Sequence, residues 1–204
     1  PRHHSEVLCC PSNALAGSKR DDVDSALLVH RNDPTGCNVL DVAALWRETN
    51  RMAFAGGLGL VGASDIVVTR EDVQFSFSEV RIGVIPAIIS VVCLPKLGTH
   101  HGMKLFLTGE RFDGHQAVAM GLAHRAVSDD DLHAAVQEEI DMINLGGPIA
   151  VQECKKLVRR VPQLSLADGF EETAKWSARM FRSEEGAEGM ASFREKRKPS
   201  WVQE

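Results

Sequence analysis

A mixed α/β core followed by a helical C-terminal region is the fold class that this 204-residue chain predicts. Three observations carry that reading. Short runs rich in β-branched and aromatic residues, Ile66–Thr69 and Val73–Phe77, read as strands. Start and stop signals for helices fill the chain from Ile88 onward. Apolar residues make up 44% of the chain, which is enough for a core and too much for a disordered polymer.

The elements follow in order. Ser25–His30 (SALLVH) reads as a buried strand, and Arg31–Asn38 (RNDPTGCN) as a loop. Val42–Met52 has the spacing of an amphipathic helix with Ala43, Trp46 and Met52 inward. Asp113 is placed to cap a helix that ends near Met120, with Gly121 as its stop. Ser128 and Asp131 open another that runs to about Asn144, before Gly146 and Gly147. Pro148 suits the first turn of a third, which reaches Arg160. Asp168–Phe181 and Glu184–Lys196 complete the helical series, and no internal repeat interrupts it.

Composition narrows the function classes. The net charge of −5 is modest, Tyr is absent, and no basic patch is interleaved with aromatics, so no nucleic-acid partner is expected. The five cysteines, Cys9, Cys10, Cys37, Cys93 and Cys154, are odd in number and form no CxxC pair. That favours a reduced, intracellular protein, and a cytoplasmic location is expected. No apolar run approaches the ~18 residues of a membrane span, and no signal peptide is visible. His3-His4 and His100-His101 lack a third ligand at useful spacing, so no metal is expected.

The most informative stretch is 55–97. Gly57, Gly59 and Gly62 match G-x-G-x-x-G, the dinucleotide fingerprint. That motif needs a strand before it and a full helix after it. Here the preceding residues read as helical, and the following helix has room only to about Ser64. The glycines also fit a plain packing role, in which backbone approaches backbone. A third reading joins them to Glu79, a lone acid in a largely apolar stretch that ends at Ile85-Pro86. Backbone N–H groups freed at glycines, with one carboxylate nearby, can stabilise an oxyanion and move a proton.

Four segments in order resemble the crotonase (enoyl-CoA hydratase/isomerase) superfamily. AGGLGLVGASDIVV is similar to its glycine-rich loop, helix and following Asp, and FSFSEVRIGVIP to its acid-bearing segment. LTGERFDGHQAVAMGLAHRAV (107–127) is similar to its helix-turn-helix hallmark, and EGMASFREKRKPSW (188–201) to its C-terminal helix. The resemblance implies a crotonase-like spiral of ββα turns over 1–127 and a helical trimerisation region over 128–204. It implies an acyl-CoA thioester as substrate, coenzyme A entering only as part of that substrate with no further cofactor, and assembly as a homotrimer or hexamer. It places the chain in fatty-acid metabolism. Gly56 matches the backbone donor to the thioester oxygen, and Glu79 matches the second of the family's two acids. Gly57, Pro86, Ala87 and Ala14, the last in a PSNAL loop, match substrate-binding positions. Removing one oxyanion donor typically costs about 3–4 kcal/mol.

Three departures shape the expected reaction. Family hydratases carry an acid three residues after the oxyanion glycine, and Gly59 stands there. A single acid at the position of Glu79 is what some family isomerases use, taking a proton from C2 and returning it at C4. The stretch after Pro86, usually glycine-rich, is Ala87-Ile88-Ile89-Ser90-Val91. Ahead of the glycine loop the chain has about half the family's residues and no strand leading in, so internal residues are expected to be missing from it. The open alternatives are an acyl-CoA-binding protein with little catalysis and a nucleotide-dependent oxidoreductase.

Overall fold

The structure, a computed structural model, describes the backbone of residues 26–32, 38–45, 52–54 and 56–202, and the side chains of 57–202. Among the described residues seven strands form two sheets. The first contains β1 (Ala26–Asn32), β2 (Asn38–Leu45), β4 (Ile66–Arg70) and β7 (Arg125–Val127), in the order β1-β2-β4-β7. The second contains β3 (Met52–Phe54), β5 (Gln74–Ser76) and β6 (Arg111–Phe112) in sequence order. The chain therefore steps from one sheet to the other and back as it proceeds.

Strand β4 explains why its sheet forms. Its Ile66, Val67 and Val68 put apolar side chains on both faces, as suits a strand flanked on both sides by parallel partners. Val42, Ala43 and Ala44 of β2 pair with its Ile66, Val67 and Val68, and Val68, Thr69 and Arg70 pair with β7. In the second sheet β3 runs parallel to β5, and β6 runs antiparallel to it.

That pairing corrects two expectations. Val42–Met52 is not one helix: β2 reaches Leu45 and β3 begins at Met52, while 46–51 lie outside the described residues. Ladder hydrogen bonds to β4 and β5 override a local spacing that fits a helix. A strand, β3, does lead into the glycine segment, contrary to the expectation that none would. Of the loop expected over Arg31–Asn38, Arg31 and Asn32 belong to β1 and Asn38 to β2, while 33–37 lie outside the described residues. Ala14, Cys9, Cys10 and Cys37 lie outside the described residues.

The helices follow the capping signals closely. α1 spans Gly56–Ala63 and α2 spans Ala87–Thr108, the latter kinked at Gly98, whose φ is 66°. α3 (Gly114–Ala119) begins at Asp113 with a full capping box, Asp113 accepting from the Gln116 N–H and Gln116 accepting from the Asp113 N–H. α4 (Leu132–Asn144), α5 (Pro148–Arg160), α6 (Leu166–Phe181) and α7 (Glu184–Glu195) complete the series. α6 starts at Leu166, earlier than expected, because Ser165 caps it by accepting from the Asp168 N–H at 3.2 Å. Strands β6 and β7 carried too few residues to be read from sequence.

The described residues fall into two compact units, one holding 26–32 and Leu40–Gln137, the other holding Asn38, Val39 and the residues from Glu138 onward. The first holds a core of Leu58 and Val61 from α1, Phe75, Phe77 and Phe112 from the second sheet and its margins, and Cys93, Leu97 and Leu105 from α2. Phe75 stacks on Phe112 at 5.3 Å between ring centres. In the second unit Glu185 of α7 accepts from the Ile149 and Ala150 N–H groups, capping the start of α5.

Candidate active site

Gly56 and Gly57 are the first two residues of α1. The N–H groups of a first helical turn have no acceptor within the helix and carry the positive end of its dipole. β3 delivers the chain to this point, so the sheet fixes where those donors start. The far end of α1 is held as firmly. The Lys96 ammonium, on α2, donates to the Val61 carbonyl at 3.2 Å and the Ser64 carbonyl at 2.5 Å. It thereby serves carbonyls that the helix end leaves without partners.

Glu79 lies in a 3-10 turn, Ser78–Ile82, that follows β5. Gly83 closes the turn with φ 79°, a conformation that glycine adopts without strain. Glu79 is half-buried, and its Oε2 is the one buried side-chain oxygen or nitrogen among the described residues with no hydrogen-bond partner. The turn packs on α2. Cys93 of α2 is fully buried and lies 3.4 Å from the Leu58 carbonyl. Burial pushes its thiol up to about 11, Lys96 opposes that shift, and the negative charge of Glu79 adds to it.

Gly59 and Gly62 have a packing role. A Cβ at Gly62 would fall 2.7 Å from Cys93 Sγ and 3.1 Å from the Val92 carbonyl carbon. A Cβ at Gly59 would fall 2.9 Å from the Ile89 γ2-methyl. The plain packing reading thus holds for these two glycines. The strand that the dinucleotide fingerprint requires is present as β3, but the helix after it is only eight residues long.

The remaining expected residues are placed as follows. Pro86 is buried at the cap of α2. Ala87 is exposed in the first turn, and its N–H donates to the Ile85 carbonyl at 2.8 Å. Ala14 lies outside the described residues. Sequence reasoning missed Lys96 and Cys93. Their spacing from Ile89, at i, i+4 and i+7, marks a single helix face and was the available signal.

Among the described residues no three His, Cys, Asp or Glu side chains gather as a metal site would require, and no helix is long and apolar enough to cross a membrane. A groove of about 710 Å³ lies in the second unit between α5 and α6. Among its charged residues Arg160 pairs with Glu172, Lys175 with Glu171, and Glu153 with Lys156, Arg179 and the Trp176 N–H.

Comparisons with known proteins agree on one family. The family model described as Enoyl-CoA hydratase/isomerase matches residues 35–204. Carnitinyl-CoA dehydratase from Proteus mirabilis is 32% identical over 157 residues, covering 74% of this chain and 60% of that protein. An enoyl-CoA hydratase from Shewanella pealeana superposes with a TM-score of 0.72 at 34% identity, over 78% of this chain and 58% of its own. An enoyl-CoA hydratase/isomerase from Marinobacter aquaeolei gives a TM-score of 0.73 at 30% identity, over 79% and 60%. The chain thus spans about 60% of the length of the curated relatives it matches.

Proposed function

The chain belongs to the enoyl-CoA hydratase/isomerase family, and we propose from that premise that it acts on enoyl-CoA thioesters through an enolate held at an oxyanion site. The Gly56 N–H donates to the thioester oxygen, with Gly57, Pro86, Ala87 and Ala14 around the acyl-CoA. Glu79 moves the proton. The observation that carries this reading is Glu79 Oε2, buried without a donor. A carboxylate oxygen withdrawn from water and left unpaired is costly, and a group that must accept a proton from substrate accounts for it. The substrate supplies coenzyme A, and no other cofactor enters.

The finer reading is a spiral of ββα turns whose helical C-terminal region assembles a homotrimer or hexamer, in the cytoplasm, serving fatty-acid metabolism. The alternation of the chain between two sheets supports the spiral. A second reading, acyl-CoA binding without turnover, draws on Gly59, which leaves the site one acid short of the family's hydratases.

The test is an assay with 2-enoyl- and 3-enoyl-CoA of several chain lengths. Glu79→Gln should lower turnover by about 10²-fold or more. Its affinity for the CoA ester should stay within a few-fold of the unsubstituted chain. Full activity in Glu79→Gln would remove the carboxylate from the mechanism. Binding without conversion of either isomer by the unsubstituted chain would favour the second reading.

A further inference from the structure

Two of the chain's departures meet in space. Gly59 stands where an acid would be rooted, and Ile89 belongs to the bulky stretch after Pro86. They lie far apart in sequence, on α1 and α2, yet a Cβ at 59 would come within 2.9 Å of the Ile89 γ2-methyl. Ile89 is half-buried and packs against the core. Its branched Cβ leaves χ1 little freedom, so the methyl cannot simply swing aside. Gly59 is three residues beyond Gly56, about 4.5 Å along the same side of the helix. Ile89 therefore lines the space within about one turn of the oxyanion donors.

We propose that Ile89 determines the reaction specificity of this site, by filling the place of a side chain at 59 and denying a water molecule a polar seat there. This rests on the functional reading above. Adding water to a double bond requires a water that is both held and deprotonated. A water needs two or more polar partners to stay in a protein site, and an apolar wall offers none. With Ile89 in place, the proton that Glu79 accepts has only carbon to return to. In a 3-enoyl-CoA, Glu79 takes the proton from C2, and the electron pair spreads over the thioester oxygen and the former C3–C4 double bond. The same carboxyl then gives the proton to C4. The C2–C3 double bond forms, the C3–C4 double bond is lost, and no water is consumed. The reaction is isomerisation, with hydration suppressed.

The experiment crosses substitutions at 59 and 89 in the full chain and reads both product partition and thermal unfolding. Ile89→Ala should raise the ratio of hydration to isomerisation by about 10-fold, and Gly59→Glu added to it should raise hydration by a further factor of about 10². Gly59→Glu alone should gain no hydration. Ile89→Val keeps the blocking methyl and should partition like the unsubstituted chain. In unfolding, Gly59→Ala should lower Tm by about 3–10 °C beside Ile89. In the Ile89→Ala background the same change should raise it, because the alanine introduced at 59 then contributes only its better helix propensity. Equal Tm effects of Gly59→Ala in both backgrounds would overturn the interlock. An unchanged partition in Ile89→Ala, with isomerisation intact, would overturn the specificity role. Turnover of neither isomer by the unsubstituted chain would sink the functional reading and the specificity role with it, while the unfolding cycle would still decide the interlock.

Discussion

A single sulfur reports on the electrostatics around Glu79. Cys93 is fully buried, between α1 and α2, and burial pushes its thiol from 9.0 to about 11, with Lys96 opposing and Glu79 reinforcing the shift. The sign for stability follows from where protons sit. Below 9 both the folded and unfolded chains keep the thiol proton. Between 9 and 11 the unfolded chain loses it while the folded chain keeps it, so stability falls as pH rises through that window. A shift of two units corresponds to about 2–3 kcal/mol in full. Measured by denaturant unfolding at about pH 8.5 and about pH 10.5, the unsubstituted chain should lose about 1.5–2 kcal/mol more than Cys93→Ala does. Equal losses in the two proteins would show that the thiol is not held in the buried, anion-disfavouring setting described. Glu79 itself was legible in the sequence as a lone acid among apolar residues. What singles it out in the structure, the unpartnered Oε2, was not legible, because the donors that it lacks would come from elements distant in sequence.

At the scale of elements, α1 against α2 is the contact that decides how the glycine run should be understood. A Cβ at Gly62 would meet Cys93 Sγ and the backbone of Val92, and that main chain cannot retreat without moving α2. Gly62→Ala is therefore expected to destabilise the chain by about 1–3 kcal/mol through overpacking, less what alanine returns in helix propensity. A denaturant midpoint unchanged from the unsubstituted chain would show that the two helices are not so closely apposed. Gly59 differs in kind. There the obstacle is one methyl of one side chain, which a second substitution removes; at Gly62 part of the obstacle is main chain. Signals confined to neighbouring residues were readable in advance: Asp113 as a cap, Gly121 as a stop, and Pro148 in a first turn. Val42–Met52 was misread because its local spacing suits a helix, while the outcome is set by parallel pairing with Ile66, Val67 and Val68. The same limit hid the pairing of Gly59 with Ile89: each was noticed as a departure, and only the packing of α1 on α2 joins them.

At the scale of the whole molecule, the helices from α5 onward leave large apolar side chains in water. Leu166 is 80% exposed, Phe170 71%, Val158 72% and Phe181 65%. Neither α5 nor α6 has a fully buried residue. Scattered exposed apolar residues are ordinary on a monomer, but a run of them on successive amphipathic helices is the composition of a surface that is covered in use. The proposed trimer would supply the cover, since a closed ring of identical copies buries the same face on every subunit. The sequence announced the helices through their caps and periodicity, but periodicity alone does not say what an apolar face packs against. Sedimentation equilibrium should therefore return a mass three or six times the 22.3 kDa of the chain. Phe170→Glu and Phe181→Glu place a charge on that face, and burying an unpaired carboxylate costs several kcal/mol. Together they should shift the mass to that of one chain while leaving the far-ultraviolet circular dichroism of the helices in place. A single-chain mass for the unsubstituted protein would refute the trimer outright. A mass unmoved by both substitutions would place the subunit contact on a different surface from the face of α6 that carries Phe170 and Phe181.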